Sequence, residues 1–237
     1  MALRFRPYPG VTVATVIAAA ILIGLGVWQL ERLKWKLALI ADVNSHMAAA
    51  PVSLADALRM DADSMQYRKV ALSGRFDNAR ESYVFTTGAA GEPVYHVLAP
   101  FVTDDNRTLL VDRGFVPKDR IDPSKRTQIE GETKIVGVWR VPDAPGAFTP
   151  APNKAHRIWY ARDLQGISAA DHVRLAAPVV IEADAAPNPG GWPKGGQTVV
   201  SFRNEHLSYA VTWFGLAAGL IGVYLAFHIS KGRLRWD

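Results

Sequence analysis

Two uncharged apolar runs, one near each end, constrain this chain more than any other feature. Val11 to Leu30 and Tyr209 to Ile229 contain no Asp, Glu, Lys or Arg. A hydrocarbon core of about 30 Å is crossed by about 20 apolar residues in a helix, so each run is long enough to span a bilayer once. The first run could be the core of a secretory signal, with Arg4 and Arg6 ahead of it. It is longer than such cores and passes straight into Trp28-Gln29-Leu30-Glu31-Arg32 without a small-x-small cleavage site, so an uncleaved anchor is expected.

The charge distribution then sets an expected topology. The formal net charge is +5, which could point to nucleic acid, but Arg4, Arg6, Lys231, Arg233 and Arg235 all lie in the tails, with Asp237 the one acid beside them. The other 231 residues hold 22 of the 27 basic and 21 of the 22 acidic side chains, so no basic groove for a phosphate backbone is expected. Positive residues beside short membrane segments stay on the cytoplasmic side, which predicts both termini inside. Arg32, Lys34 and Lys36 argue the other way, but long domains cross largely regardless of charge. The organisation expected is therefore a cytoplasmic tail (1–10), a transmembrane helix (11–30), a periplasmic domain (31–208), a second transmembrane helix (209–229) and a cytoplasmic tail (230–237). With so short an N-terminal lead, a bacterial inner membrane is the expected home, with the lipid bilayer itself a partner.

Between the runs the periodicity changes. Leu33, Leu37 and Ile40 recur at helical spacing, so the first helix is expected to continue to about Ala48. Ser53 with Asp56 resembles a capping box for a short helix through Leu58. From Tyr67 the pattern is strand-like, with Gly74 expected at a bulge. Further strands are predicted at Ser82–Thr86, Val94–Val102, Thr108–Val116, Thr133–Val141, Arg157–Arg162 and Pro178–Glu182, with one helix between Leu164 and Leu175. Short strands without a helix after each favour a mainly antiparallel sheet or open barrel, an α+β domain. Residues 185–196, AAPNPGGWPKGG, read as a linker without regular structure, and Thr198–Phe202 as a last strand. With no cysteine in the chain, thiolate metal sites, disulfides and covalent c-type haem attachment are excluded.

Chemistry concentrates on the second run. His206, Tyr209 and Trp213 follow i, i+3, i+7 spacing and share one stripe of a helix. Ala210, Ala217, Leu220 and Tyr224 extend that stripe, and the two alanines could leave a shallow slot for a flat apolar ligand. Gly215, Gly219 and Gly222 lie opposite, a small-residue face expected to pack on Ala20 and Gly24 of the first helix. Two readings of the stripe stand: an aromatic belt at the membrane interface, or a haem site with His206 as axial ligand. His46, His96, His156, His172 and His228 are scattered, and HExxH, GxSxG and Walker A patterns are missing, so neither zinc nor an enzymatic constellation is expected. Asp112-Arg113 interrupts the apolar strand LLVDRGFVP and reads either as a strand-end salt bridge or turn cap or, through Arg113, as a partner or ligand contact. Trp28, Gln29, Arg32, Trp35 and Lys36 suit interface anchoring first.

Together these segments resemble the Surfeit-locus-one family of cytochrome c oxidase assembly factors. The resemblance is carried by GVWQLERLKWK (26–36), YRKVALSGRF (67–76), LVDRGFVP (110–117), GAFTPAPN (146–153) and NEHLSYAVTWF (204–214), in order along nearly the whole chain. Asp112 and Phe115 depart from the commonest family residues. The resemblance implies a non-enzymatic helper of haem-copper oxidase maturation that binds haem a for delivery to the oxidase large subunit. His206 would then be the iron ligand, Tyr209 and Trp213 would lie against the ring, Arg203 would meet the propionates, and the haem a synthesis enzyme would be a further partner. The alternative within the same resemblance is a scaffold for oxidase subunits that never holds haem.

Overall fold

The computed structural model describes residues 3–88, 90–142, 144–198, 202 and 204–236. In chain order these form β1 (Leu3–Phe5), α1 (Pro9–Ala48), β2 (Val52–Ser53), α2 (Leu54–Ala57), β3 (Lys69–Phe76), β4 (Ser82–Thr87) and β5 (Pro93–Thr103). They continue with β6 (Thr108–Pro117), β7 (Thr133–Arg140), β8 (Ile158–Trp159), α3 (Leu164–Asp171), β9 (Val180–Ala183), α4 (His206–Ser230) and β10 (Leu234–Trp236). Two compact units result, Met1–Asp42 with Ser201–Asp237, and Val43–Val200.

In the helical unit α1 and α4 run antiparallel. On α1 the inward side is Thr12, Thr15, Ala19, Leu22, Gly26, Gln29 and Leu33; on α4 it is His206, Ala210, Trp213, Ala217, Leu220 and Tyr224. Both alternate steps of three and four, the spacing of a coiled-coil seam. This reverses the expected faces. Gly24, Gly215, Gly219 and Gly222 have open space where a Cβ would stand, whereas Ala210 and Ala217 are buried. The reason is room: at Gly26 a Cβ would stand 2.7 Å from the Phe214 ring, so bare backbone on α1 receives an aromatic ring from α4. Past the apolar run Lys36 takes the inward position and Leu37 is exposed, a shift of one residue from the expected stripe.

In the second unit eight strands form one sheet in the order β2-β3-β7-β9-β6-β5-β4-β8, and an additional β3–β5 pairing closes the middle five into a ring. A mainly antiparallel sheet or an open barrel was expected; most pairings are antiparallel, but the sheet is mixed and its middle is closed. Going round a ring of five strands, directions cannot alternate throughout, so an odd number forces a parallel pair. That pair is β6–β9, and the short β2–β3 and β4–β8 pairs are parallel as well. Gly74 is where β3 leaves β7 for β5. Its expected bulge is instead this change of partner, and a Cβ there would stand 2.1 Å from the Val102 carbonyl oxygen.

Inside the ring, Leu72, Phe76, Phe101, Leu109, Val111, Trp139 and Ile181 form the main core. On the other side, Leu98, Leu110 and Val180 pack with Trp159 and with Ile167 of α3. Ser53 caps α2 as anticipated, its Oγ accepting from the Asp56 N–H at 3.2 Å. Strand β8 is shorter than expected, and helix α3 ends at Asp171. The proline- and glycine-rich stretch holds a short helical turn at Pro189–Gly191 and is docked: Lys194 and Phe115 exchange both backbone hydrogen bonds, at 3.0 and 3.1 Å. Of the expected last strand, Val199, Val200 and Ser201 lie outside the described residues; Thr198 and Phe202 belong to no strand.

The seam predicts a contrast between two glycines. Gly26→Leu should destabilise the full chain in detergent by about 1–3 kcal/mol through overpacking against Phe214, while Gly219→Leu on the open face should stay within about 0.5 kcal/mol. Thermal unfolding followed by circular dichroism measures both.

Candidate functional site

His206 is the first residue of α4, and its N–H donates to Asn204 Oδ1 at 3.4 Å. Its ring Nδ1 lies 2.8 Å from Gln29 Oε1 of α1. A carbonyl oxygen only accepts, so Nδ1 carries the proton and the lone pair of the neutral ring falls on Nε2. Nε2 has no hydrogen-bond partner among the described residues. The seam thus buries Gln29 and spends it on orienting one imidazole. This is the arrangement in which a histidine meets a metal: one nitrogen donating to a fixed oxygen, the other presenting its lone pair. Among the described residues no group of three or more His, Asp or Glu side chains could hold a metal ion by itself, so His206 could meet a metal only as one ligand.

The other residues expected at this site divide. Tyr209 is 54% exposed beside His206, while Trp213 is half-buried in the seam. The alanine slot does not exist, because Ala210 and Ala217 pack toward α1. Tyr224 spends its hydroxyl on Thr12 Oγ1 at 2.8 Å. Any flat ligand at His206 would have to lie on the outer surface of the helix pair, beside Tyr209. Arg203 falls outside the described residues; Lys36 Nζ sits 4.6 Å from the ring of Phe202, four residues before His206. Trp28 and Trp35 are exposed, Arg32 stacking on Trp35 at 3.9 Å. Gln29 was legible only as an anchoring residue. A lone amide closing an apolar run was the available signal, but nothing in one sequence says which residue it faces.

The charged pair of β6 occupies the second unit. His96 stands opposite Phe115 and Leu98 opposite Asp112, so Arg113 and Gly114 together face Val97, a bulge with one extra residue in β6. Gly114, at φ +106°, permits it, and its N–H donates to Asp112 Oδ1 at 2.9 Å. The bulge lets adjacent residues both be buried. Arg113 turns to Glu81 at 2.9 Å, which Arg126 also meets at 2.6 Å. With 1% exposure Arg113 offers no surface to a partner, so the salt-bridge reading of this residue is the one the geometry carries. Burial, together with Arg126, pushes the Arg113 guanidinium down despite Glu81, and burial likewise pushes the Tyr83 hydroxyl up.

Asp112 turns instead to His96 Nδ1 at 2.8 Å and Arg162 at 2.9 Å. Burial raises its carboxyl, but the hydrogen bond and charge of His96 and the charge of Arg162 outweigh that and hold it below the usual carboxylate range. Arg162, in turn, is raised: burial lowers it, and Asp112 with Glu182 more than offsets the loss. Tyr67, Arg140, Arg162 and Glu182 line adjoining polar clefts of about 380 and 230 Å³. His96 was read as one of several scattered histidines, and only the ring of strands brings it to Asp112.

A closed mixed barrel carried on the same chain as an antiparallel pair of apolar helices, with one oriented imidazole at the helix end, defines a two-helix protein with a β-domain and a single-ligand candidate site. The SURF1 family model matches residues 16–218, and the chain belongs to that family. Surfeit locus protein 1 of Takifugu rubripes is 35% identical over 88% of this chain and 92% of its own length. The human protein of that name is 38% identical over 82% of this chain and 70% of its own. A SURF1-like protein of Monosiga brevicollis is 34% identical over 89% and 84%.

Two outcomes follow from the buried charges. Glu81→Gln leaves two buried guanidiniums without their carboxylate and should cost about 3 kcal/mol or more, read as loss of the cooperative melt. Asp112→Asn should lower stability at pH 7. A depressed carboxyl contributes fully above its unfolded value of about 3.9 and loses that contribution as pH falls through the folded value, so the gap between variant and parent should close in acid melts below about pH 4.

Proposed function

We propose that this protein is a membrane-inserted assembly factor for a haem-copper oxidase, non-enzymatic, that holds haem a through His206 Nε2 and passes it to the oxidase large subunit. The single observation that carries the haem reading is the Gln29–His206 contact at 2.8 Å, because it fixes the ring through Nδ1 and assigns the lone pair of the neutral tautomer to Nε2. Family membership and the resemblance of the segment 204–214 support the same assignment.

Insertion rests on exposed apolar surface. Val13, Val16, Ile17, Ile21, Val211, Val223 and Ile229 are each more than half exposed on helices long and apolar enough to cross a membrane. Surface of that extent is stable in lipid and a liability in water. With the basic tails on the cytoplasmic side of an inner membrane, His206, at the opposite end of α4, would lie toward the outer leaflet, and the β-domain would be on the periplasmic side.

Haem a is cargo, so retention must be firm enough to capture it and loose enough to release it. One protein ligand, oriented but not caged, meets both demands. Tyr209 supplies an exposed ring beside the iron ligand, and cations such as Lys36 and Arg203 are the candidates for the propionates. The haem a synthesis enzyme would be the donor in this scheme.

The test is the absorbance spectrum of the full chain purified after co-expression with haem a synthesis. His206→Ala should lose the pigment. Gln29→Leu should keep His206 but lower haem a affinity about 10–100-fold, as loss of an orienting partner does. An unchanged spectrum in His206→Ala removes the imidazole from the scheme. Parent protein that carries no haem a, yet co-purifies with the oxidase large subunit, would favour the scaffold reading.

A further inference from the structure

The tails beyond the two helices build something the seam does not require. β1 and β10 pair antiparallel, with Arg4 opposite Arg235 and Phe5 opposite Leu234, and the Arg6 N–H donates to the Arg233 carbonyl at 2.9 Å. Side chains alternate along a strand, so Arg4, Arg6, Arg233 and Arg235 share one face and Phe5 and Leu234 the other. The apolar face is clamped to the helix end. Phe5 meets the His228 ring edge-on at 5.6 Å, and His228 is fully buried. Its Nε2 accepts from the Tyr8 N–H at 3.2 Å, and its Nδ1 lies 2.9 Å from the Tyr224 carbonyl.

On the cationic face Arg4, Arg6, Lys231, Arg233 and Arg235, with Gly232, enclose a cavity of about 200 Å³. Cations directly opposite one another across a strand pair repel. Arg4 and Arg235 stand in that position, and Arg6, Lys231 and Arg233 join them at the pocket, where two extended tails would have let these cations separate. Arginine forks match phosphate oxygens in pairs, and a group carrying two phosphates would offer the arginines of both strands more such oxygens than one. The strands leave the helices at Pro9 and Ser230, which puts the pocket at the level of lipid headgroups if the helices span.

We propose that this pocket is a binding site for the headgroup of an anionic phospholipid bearing two phosphates, pinning the tail sheet to the membrane surface. The proposal rests on the membrane-inserted reading above. It goes beyond a topology signal, because scattered tail cations would serve topology equally well.

The full chain in neutral phosphatidylcholine micelles, titrated with diphosphatidylglycerol, should gain several degrees of melting temperature. Phosphatidylglycerol at equal phosphate should give a smaller gain, and inorganic pyrophosphate at equal phosphate little. Arg6→Gln with Arg233→Gln should weaken the diphosphatidylglycerol effect about tenfold or more, while Lys34→Gln, a cation at the far end of the apolar run, should leave it intact. The strand pairing uses main-chain groups, so the double variant keeps its sheet, and unchanged helical circular dichroism in phosphatidylcholine verifies its folding. An equal gain in the double variant, the same gain from both lipids, or a matching gain from pyrophosphate overturns the site. Flotation with neutral vesicles separates the two readings: a chain that floats but shows no headgroup preference refutes the pocket alone, and one that fails to float refutes insertion and the pocket together.

Discussion

Polar contacts hold the helical pair together, among them Tyr8 N–H to His228, Thr12 to Tyr224, and Gln29 to His206. In an apolar helix pair a buried polar group without a partner is expensive, so these contacts fix which residues face one another and in what register. Small side chains between them, Ala19 and Gly26 on α1 and Ala210 and Ala217 on α4, let the helices approach. The rest of the unit follows. His206 is oriented because Gln29 must be satisfied, the glycines of α4 are left facing outward, and the tails are brought close enough to pair.

The β-domain solves a different problem. Closing five strands removes the exposed edges of the inner sheet and obliges one pair to run parallel. It also draws Asp112 and Arg113 inward from a strand that alternation alone would have left half in solvent. The bulge at Arg113-Gly114 gives each residue its own partners: Glu81, shared with Arg126, on one side, and His96 and Arg162 on the other. Two arginines on one glutamate, and an imidazole with a guanidinium on one aspartate, make this domain depend on polar groups kept out of water, where loss of one member strands the rest.

Much of this organisation was readable from residue order. Apolar length located both helices, alternation located most strands within a few residues, and Ser53 announced its cap. The faces were another matter. Helical periodicity identified a stripe through His206, Ala210, Ala217 and Tyr224, but the small-residue face of Gly215, Gly219 and Gly222 on the opposite side drew the expected contact to the wrong glycines. Likewise, Gly74 was recognised as special and misread as a bulge, because a strand that changes partners and a strand that bulges both need the missing Cβ.

By itself the sequence determined what each stretch prefers: lipid-compatible helices at the ends, short strands between them, cations in the tails and one histidine at the mouth of the second apolar run. Those are local properties, set by side-chain chemistry and period. Only the tertiary structure decided that His206 meets Gln29, that His96 meets Asp112, that β3 reaches β5 and that the two tails become one cationic sheet. Each of these joins residues distant in the chain, and their pairing depends on which surfaces pack most closely and leave no buried polar group alone, a property of the whole fold that no single segment carries.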